Sequence, residues 1–103
     1  MALKLYDMKL LTVTCEILAQ KNVKAILTKH KVTGHTTYDA SGSGEKGQRG
    51  QGLQDEKNIK IEAIMTKNTL EKVVEEIART LFSDFTIIVY VSDVQVIRAE
   101  KFS

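Results

Sequence analysis

The spacing of hydrophobic positions along the chain switches repeatedly between two residues and three to four, and each switch marks an element. From Met8 to Cys15, the residues Leu11, Val13 and Cys15 alternate with Leu10, Thr12 and Thr14, which predicts a strand with one face more polar than the other. Ala19, Val23, Ile26, Leu27 and His30 then recur at helical spacing, while Lys21, Lys24 and Lys29 take the other sides. That pattern predicts an amphipathic helix to about Lys31, with Gly34 as its stop and His30 at its inner edge. His35 to Ser41, rich in threonine and tyrosine, reads as a second strand. Ile59, Ile61, Ala63 and Met65 alternate with Lys60, Glu62 and Ile64 in a third. Leu70, Val73, Val74, Ile77, Ala78, Leu81 and Phe82 form one helical stripe, with Asn68 as N-cap and Glu71 at the capping-box position. Burial of that stripe contributes on the order of 10 kcal/mol before chain entropy is subtracted. Thr86 to Val91 is a nearly continuous apolar strand of the kind buried on both faces, and Val94 to Ile97 reads as a short edge strand.

The order strand, helix, strand, strand, helix, strand, strand is that of an α+β, ferredoxin-like βαββαβ sandwich: an antiparallel sheet with two helices on one face, a short extra strand at the C-terminal end and a long loop between strands 2 and 3. Two helices cover one face of such a sheet. The other face, with Ile64 and one side of the Thr86–Val91 strand, needs symmetric association of several copies to bury it.

Composition narrows the class. At 103 residues, 43% hydrophobic and 27% charged, the chain fits one globular domain over residues 1–103. A net charge of +2 gives no bulk electrostatic case for nucleic acid or a membrane surface. The third strand, IKIEAIM, also lacks the aromatic residues on which a sheet of this kind stacks RNA bases. One cysteine, Cys15, excludes an internal disulfide and fits a reducing, cytoplasmic setting. No segment is apolar enough to span a membrane, and the opening MALKLYDMKLL lacks the features of a cleaved signal, so a soluble, unprocessed protein is expected.

Of the six glycines, Gly42, Gly44, Gly47, Gly50 and Gly52 fall in one tract, GSGEKGQRGQG. Gly42, Gly44 and Gly47 satisfy the spacing of a dinucleotide-binding turn, but no helical pattern follows to present an N-terminus to a pyrophosphate. Gln48 and Arg49 stand where a Walker A loop needs Lys and Ser or Thr. Two readings stay open: a solvated connector, or a backbone concavity for an anion with Lys46 and Arg49 as flanking cations. A loop over residues 42–57 is long for a compact domain, and such loops are commonly functional or disordered. Asp84 in LFSDF reads as a turn residue beside a potential ligand position. Cys15, His30 and His35 lack the fourth ligand and the spacing of a zinc site, and no Ser/His/Asp or Cys/His set for covalent catalysis assembles.

The segments ILAQKNVKAILTKHKVTGHTTYDASGSG and LFSDFTIIVYVSDVQVI, joined to this strand order and loop, resemble the PII-like signalling proteins, especially the branch associated with bicarbonate transporters and carboxysomes. The resemblance implies a non-enzymatic homotrimer, with slow nucleotide hydrolysis at most as a side activity. It would bind AMP, ADP, ATP or a cyclic form in each cleft between subunits, with bicarbonate as a candidate second ligand. The loop over residues 42–57 would be the T-loop, docking on a membrane bicarbonate transporter or a carboxysome-related protein. By the same resemblance, Gly42 and Gly44 close on the phosphates and Lys46 and Arg49 reach them. Tyr38 and Asp39 border the cleft, Ser83, Asp84 and Phe85 form the B-loop, Val89, Tyr90 and Val91 offer backbone groups to adenine, and Arg98 supplies a further cation. Residues 42–57 hold no tyrosine, so the uridylylation known in nitrogen-regulatory relatives is not expected. Redox control by a C-terminal disulfide is not expected either, since the sequence ends KFS. The alternative is a CutA-like trimer that binds metal through His30, His35 or Cys15 or serves a structural role.

Overall fold

A computed structural model describes residues 3–40, 42–44, 47–49 and 58–98, and in them the two hydrophobic periods become a sheet with two helices laid across it. The elements are β1 (Tyr6–Glu16), a 3-10 turn (Ile17–Ala19), α1 (Gln20–Lys29), β2 (Thr36–Ala40), β3 (Gly42–Gly44), β4 (Gly47–Arg49), β5 (Asn58–Met65), α2 (Lys67–Leu81) and β6 (Ile87–Val96). The main sheet has the order β2-β5-β1-β6 with every pairing antiparallel. This is the α+β, ferredoxin-like arrangement that the pattern predicts. β3 and β4 form a separate hairpin, so part of the expected loop is an ordered ladder.

Because successive strand residues point to opposite faces, the alternation sorts side chains into two sets. Leu11, Val13 and Cys15 of β1 and Ile59, Ile61, Ala63 and Met65 of β5 face the helices, where they meet Val23, Ile26 and Leu27 of α1 and Leu70, Val73, Ile77 and Leu81 of α2. All are buried. Each large side chain in this layer contributes about 1.5–3 kcal/mol of burial energy before entropy is counted. His30, at the end of α1, places Nε2 2.8 Å from Oε1 of Glu76, and Lys29 donates to Oε2 of the same carboxylate at 3.1 Å, joining the two helices. The His30 contact first, and Lys29 second, hold the Glu76 carboxyl below the usual carboxylate range.

Both helix ends differ from the expectation. Thr66 caps α2: its Oγ1 accepts the Thr69 N–H at 3.3 Å, and Asn68 lies inside the helix. The helix starts as soon as β5 ends at Met65, which moves the cap two residues ahead of the predicted one. α1 ends at Lys29, two residues short of the expected end, and its left-handed stop is Lys31 rather than Gly34. The Lys31 N–H bonds to Thr28 O at 3.0 Å and the Val32 N–H to Leu27 O at 2.9 Å, the paired bonds of a Schellman cap, with Lys31 in the left-handed region at φ 65°. Val32 then buries in the core, which holds the chain to that exit.

β6 is one strand where two were expected. Its pairing with β1 runs unbroken from Tyr6↔Val96 to Cys15↔Ile87. Ser92 and Asp93 look like a break in the sequence, yet Asp93 pairs with Lys9 through both backbone register and an ion pair. Nor is the Thr86–Val91 stretch buried on both faces in the single chain: β6 is an edge strand, with Ile88 52%, Tyr90 44% and Val91 44% exposed. No helix among the described residues is long and apolar enough to cross a membrane.

Two outcomes follow for stability. Lys31→Gly removes the strain of a side-chain-bearing residue in a left-handed position and should stabilise the fold by about 1 kcal/mol, read as a higher denaturation midpoint. The Glu76 contribution has the sign of a depressed carboxylate: it is present above the unfolded value of 4.5 and lost as pH falls through the lower folded value. Glu76→Gln should therefore melt below the wild type at neutral pH, and the two melting temperatures should converge on acidification below pH 4.5.

Candidate functional site

The second set of strand side chains lies on the face that neither helix covers. In register, one row across the sheet is Thr36, Glu62, Thr12 and Tyr90, and the next is Tyr38, Lys60, Thr14 and Ile88. The alternation that buries Ile61 against the helices thus sets Lys60 and Glu62 on the open face, between a tyrosine on each side. Tyr38 donates its hydroxyl to Oε2 of Glu62 at 3.1 Å, and Lys60 Nζ stands 5.9 Å from the centroid of the Tyr90 ring. Local desolvation first, then Glu62, pushes the Tyr38 phenol above its ordinary pKa. Hydrogen bonding to Tyr90 is the largest of the effects that raise Lys60. Tyr38 and Tyr90 remain 41% and 44% exposed, so two aromatic groups with a cation and an anion between them face outward from one chain. Beside them a recess of about 330 Å³ is lined by Leu10, Gly34, His35, Thr36, Glu62, Ala63 and Ile64.

One end of the sheet gathers the segments that carry the remaining candidates. Ala40, Asn58 and Glu16 share a row at that end, and Thr86 follows Glu16 across β6. The root of the 42–57 segment and the turn from α2 to β6 therefore lie at the same end of the sheet. Asn58 is 5% exposed, and its Nδ2 has no hydrogen-bond partner among the described residues. A buried donor of this kind costs about 1–3 kcal/mol unless an acceptor reaches it.

The structure brings some of the expected residues together and separates others. Tyr38 and Tyr90 lie on the open face, while Asp39 points to the other face and is exposed. Val89 and Val91 also have their side chains on the helix side, Val89 packed against the core. Ser83 and Asp84 are exposed in the α2–β6 turn, whereas Phe85 is half-buried against the core and anchors that turn. Gly42 pairs with Arg49 and Gly44 with Gly47 in the backbone of the β3–β4 hairpin, and Lys46 lies outside the described residues. Arg98 lies at the other end of the sheet. It follows β6, whose last residue pairs with Tyr6, so a ten-residue strand of about 30 Å separates it from the 82–86 turn of the same chain. Lys60, Glu62, Thr36 and Asn58 escaped the sequence reading, although opposite charges two apart in a half-buried strand were a visible signal.

A metal site gains no support. Among the described residues no three His, Cys, Asp or Glu converge. His30 is engaged with Glu76, and Cys15 is buried, its thiol pushed up to about 11 by desolvation first and by Glu16 second. A larger recess of about 570 Å³ lies at the opposite end, lined by Asp7, Met8, Lys9, Asp93, Val94 and Gln95. Its polar groups bond to one another, Lys9 to Asp93 and Gln95 to Asp7.

Over residues 8–101 the chain matches the family model for nitrogen regulatory protein P-II. CPII, a nitrogen regulatory PII-like protein from Thiomonas intermedia K12 solved with ADP and bicarbonate, superposes with a TM-score of 0.88 at 29% identity, over 99% of this chain and 100% of that one. A Thermus thermophilus chain assigned as a PII-like signalling protein follows at 0.83 and 26%, over 97% and 99% of the two chains. GlnK of B. subtilis, in complex with ATP, shares the fold at a TM-score of 0.60 and 23% identity, over 84% and 82%. No protein of curated function matches the sequence.

Proposed function

The chain belongs to the nitrogen regulatory protein P-II family, and we propose that it is a non-enzymatic regulator that binds adenine nucleotides in clefts between copies of itself. The observation that carries this reading is the open sheet face, where exposed Tyr38 and Tyr90 and half-buried Lys60 and Glu62 stand beside a recess and no helix among the described residues covers them. Three copies packed through this face would bury Ile88, Leu10 and Ile64 and enclose the recess, turning a surface hollow into a cleft. In such an assembly Arg98, which β6 carries away from the turn of its own chain, would supply its cation to a neighbour's ligand.

The ligand class follows from the groups on offer. Aromatic rings and backbone edges suit a flat base, and the cations of the 42–57 segment, Lys46 and Arg49, suit a phosphate chain. CPII was solved with ADP, AMP and bicarbonate, which supports AMP, ADP or ATP as the nucleotide and bicarbonate as a second ligand. Nucleotide state would then bias the 42–57 segment toward or away from a protein partner in inorganic-carbon metabolism, with a bicarbonate transporter or a carboxysome-related protein as the family-level candidate.

Calorimetric titration with AMP, ADP, ATP and cyclic AMP, with and without bicarbonate, tests the reading. Micromolar binding of at least one nucleotide is expected, weakened about tenfold or more in Lys46→Ala and Arg49→Ala as a charge-assisted contact is lost. Silence from every nucleotide at high micromolar concentration would sink it. The assembly is tested separately: Ile88→Glu puts an unpaired charge on the open face and should shift the light-scattering mass from trimer to monomer. A wild type that is already monomeric defeats the cleft.

A further inference from the structure

Glu16 holds the α2–β6 turn from outside it. The β1–β6 ladder ends at Cys15↔Ile87, and Thr86 lies one step past its last pair. At that step Glu16 grips the Thr86 peptide region at two points: its backbone N–H donates to Thr86 O at 3.4 Å, and its Oε2 accepts the Thr86 N–H at 3.0 Å. The turn's own bonds are few. Asp84 and Phe85 both donate to Leu81 O at 3.1 Å, which closes the end of α2, and Phe85 packs against the core, but none of these contacts holds the Thr86 peptide itself. Ser83 and Asp84 are exposed and cannot anchor it. A carboxylate reaching a backbone N–H makes a shorter, stronger bond than a neutral acceptor, and half-burial keeps water from competing for it.

We infer that Glu16 is the positioning residue of the nucleotide site, fixing Thr86 and through it the Ser83–Phe85 turn before a ligand arrives. The inference rests on the nucleotide reading above. Glu16 does not touch the ligand: the oxygen that orders the turn is committed to Thr86, and its work is done before binding as preorganisation. The residue is absent from the buried core, so its loss leaves the sandwich packed.

The test compares wild type, Glu16→Gln and Glu16→Ala by ADP titration and by amide hydrogen exchange. Gln keeps a side-chain acceptor at the same reach and Ala removes it. The alanine variant should bind ADP about tenfold or more weakly, and the glutamine variant should stay within about threefold of wild type. The Thr86 amide should exchange slowly in wild type and Glu16→Gln and fast in Glu16→Ala, with far-UV circular dichroism unchanged in all three. Equal ADP affinity in wild type and Glu16→Ala overturns the positioning role while leaving nucleotide binding intact. A glutamine variant that protects the Thr86 amide as wild type does yet binds ADP as weakly as the alanine one overturns it too, since charge near the ligand rather than the held turn would then matter. A wild type that binds no ADP or other adenine nucleotide overturns the nucleotide reading and this role with it.

Discussion

A four-stranded sheet has two faces, and the described residues supply helices for one. Every other feature of the molecule answers to that shortage. On the covered side, period-two strands meet period-3.6 helices in a layer of aliphatic side chains, and the sandwich closes by ordinary burial. On the open side the same strands carry threonines, a lysine, a glutamate and tyrosines; Tyr38 bonds to Glu62 and Lys60 stands over Tyr90, and the two tyrosines are not sealed from water. A one-residue slip of β5 against β1 would exchange the two sets, so the covered face fixes the register of the open one. The arrangement of Tyr38, Lys60, Glu62 and Tyr90 is therefore a product of core packing as much as of any local preference.

Much of the fold was legible because burial on one side writes a simple period into the chain. The stripe from Leu70 to Leu81 and the alternation from Ile59 to Met65 survive as α2 and β5, and the antiparallel order follows from their sequence. The termini were less legible, since a cap depends on where the previous element releases the chain. Thr66 preempts Asn68 because β5 stops at Met65, and Lys31 takes the left-handed position that Gly34 was expected to occupy because Val32 has a place in the core. β6 misled for another reason. Its apolar run reads as a doubly buried strand, but an apolar run carries no record of which strands flank it, and in one chain it lies at an edge.

The candidate site was legible in parts for a comparable reason. Tyr38 and Tyr90 lie on the open face once the strands are placed, and Ser83 and Asp84 lie where a turn leaves the chain exposed. Lys60 and Glu62 escaped because charged residues on an exposed strand face look like solubility, and only the pairing register reveals that a tyrosine flanks each of them. Arg98 cannot be placed by one chain at all, since its strand carries it to the end of the sheet away from the turn. The residues at 42–44 and 47–49 show as a short hairpin in the backbone, and that hairpin grows from the end of the sheet where Ala40, Asn58 and Glu16 meet.

Separation of charges along β6 has a thermodynamic consequence. When the groups for a base and the groups for a phosphate lie on different copies, a ligand that needs both binds the assembly and not the isolated chain, and it stabilises the assembly by mass action. The coupling runs both ways: whatever loosens the association weakens the ligand, and whatever ligand is bound reports the state of the interface. A chain that buries only one face of its sheet on its own is suited to that coupling, because in the proposed assembly interface and binding site would draw on the same rows of side chains. Mutations on the open face should then resist division into those that affect assembly and those that affect binding, whereas changes at the far side of the helices should touch neither.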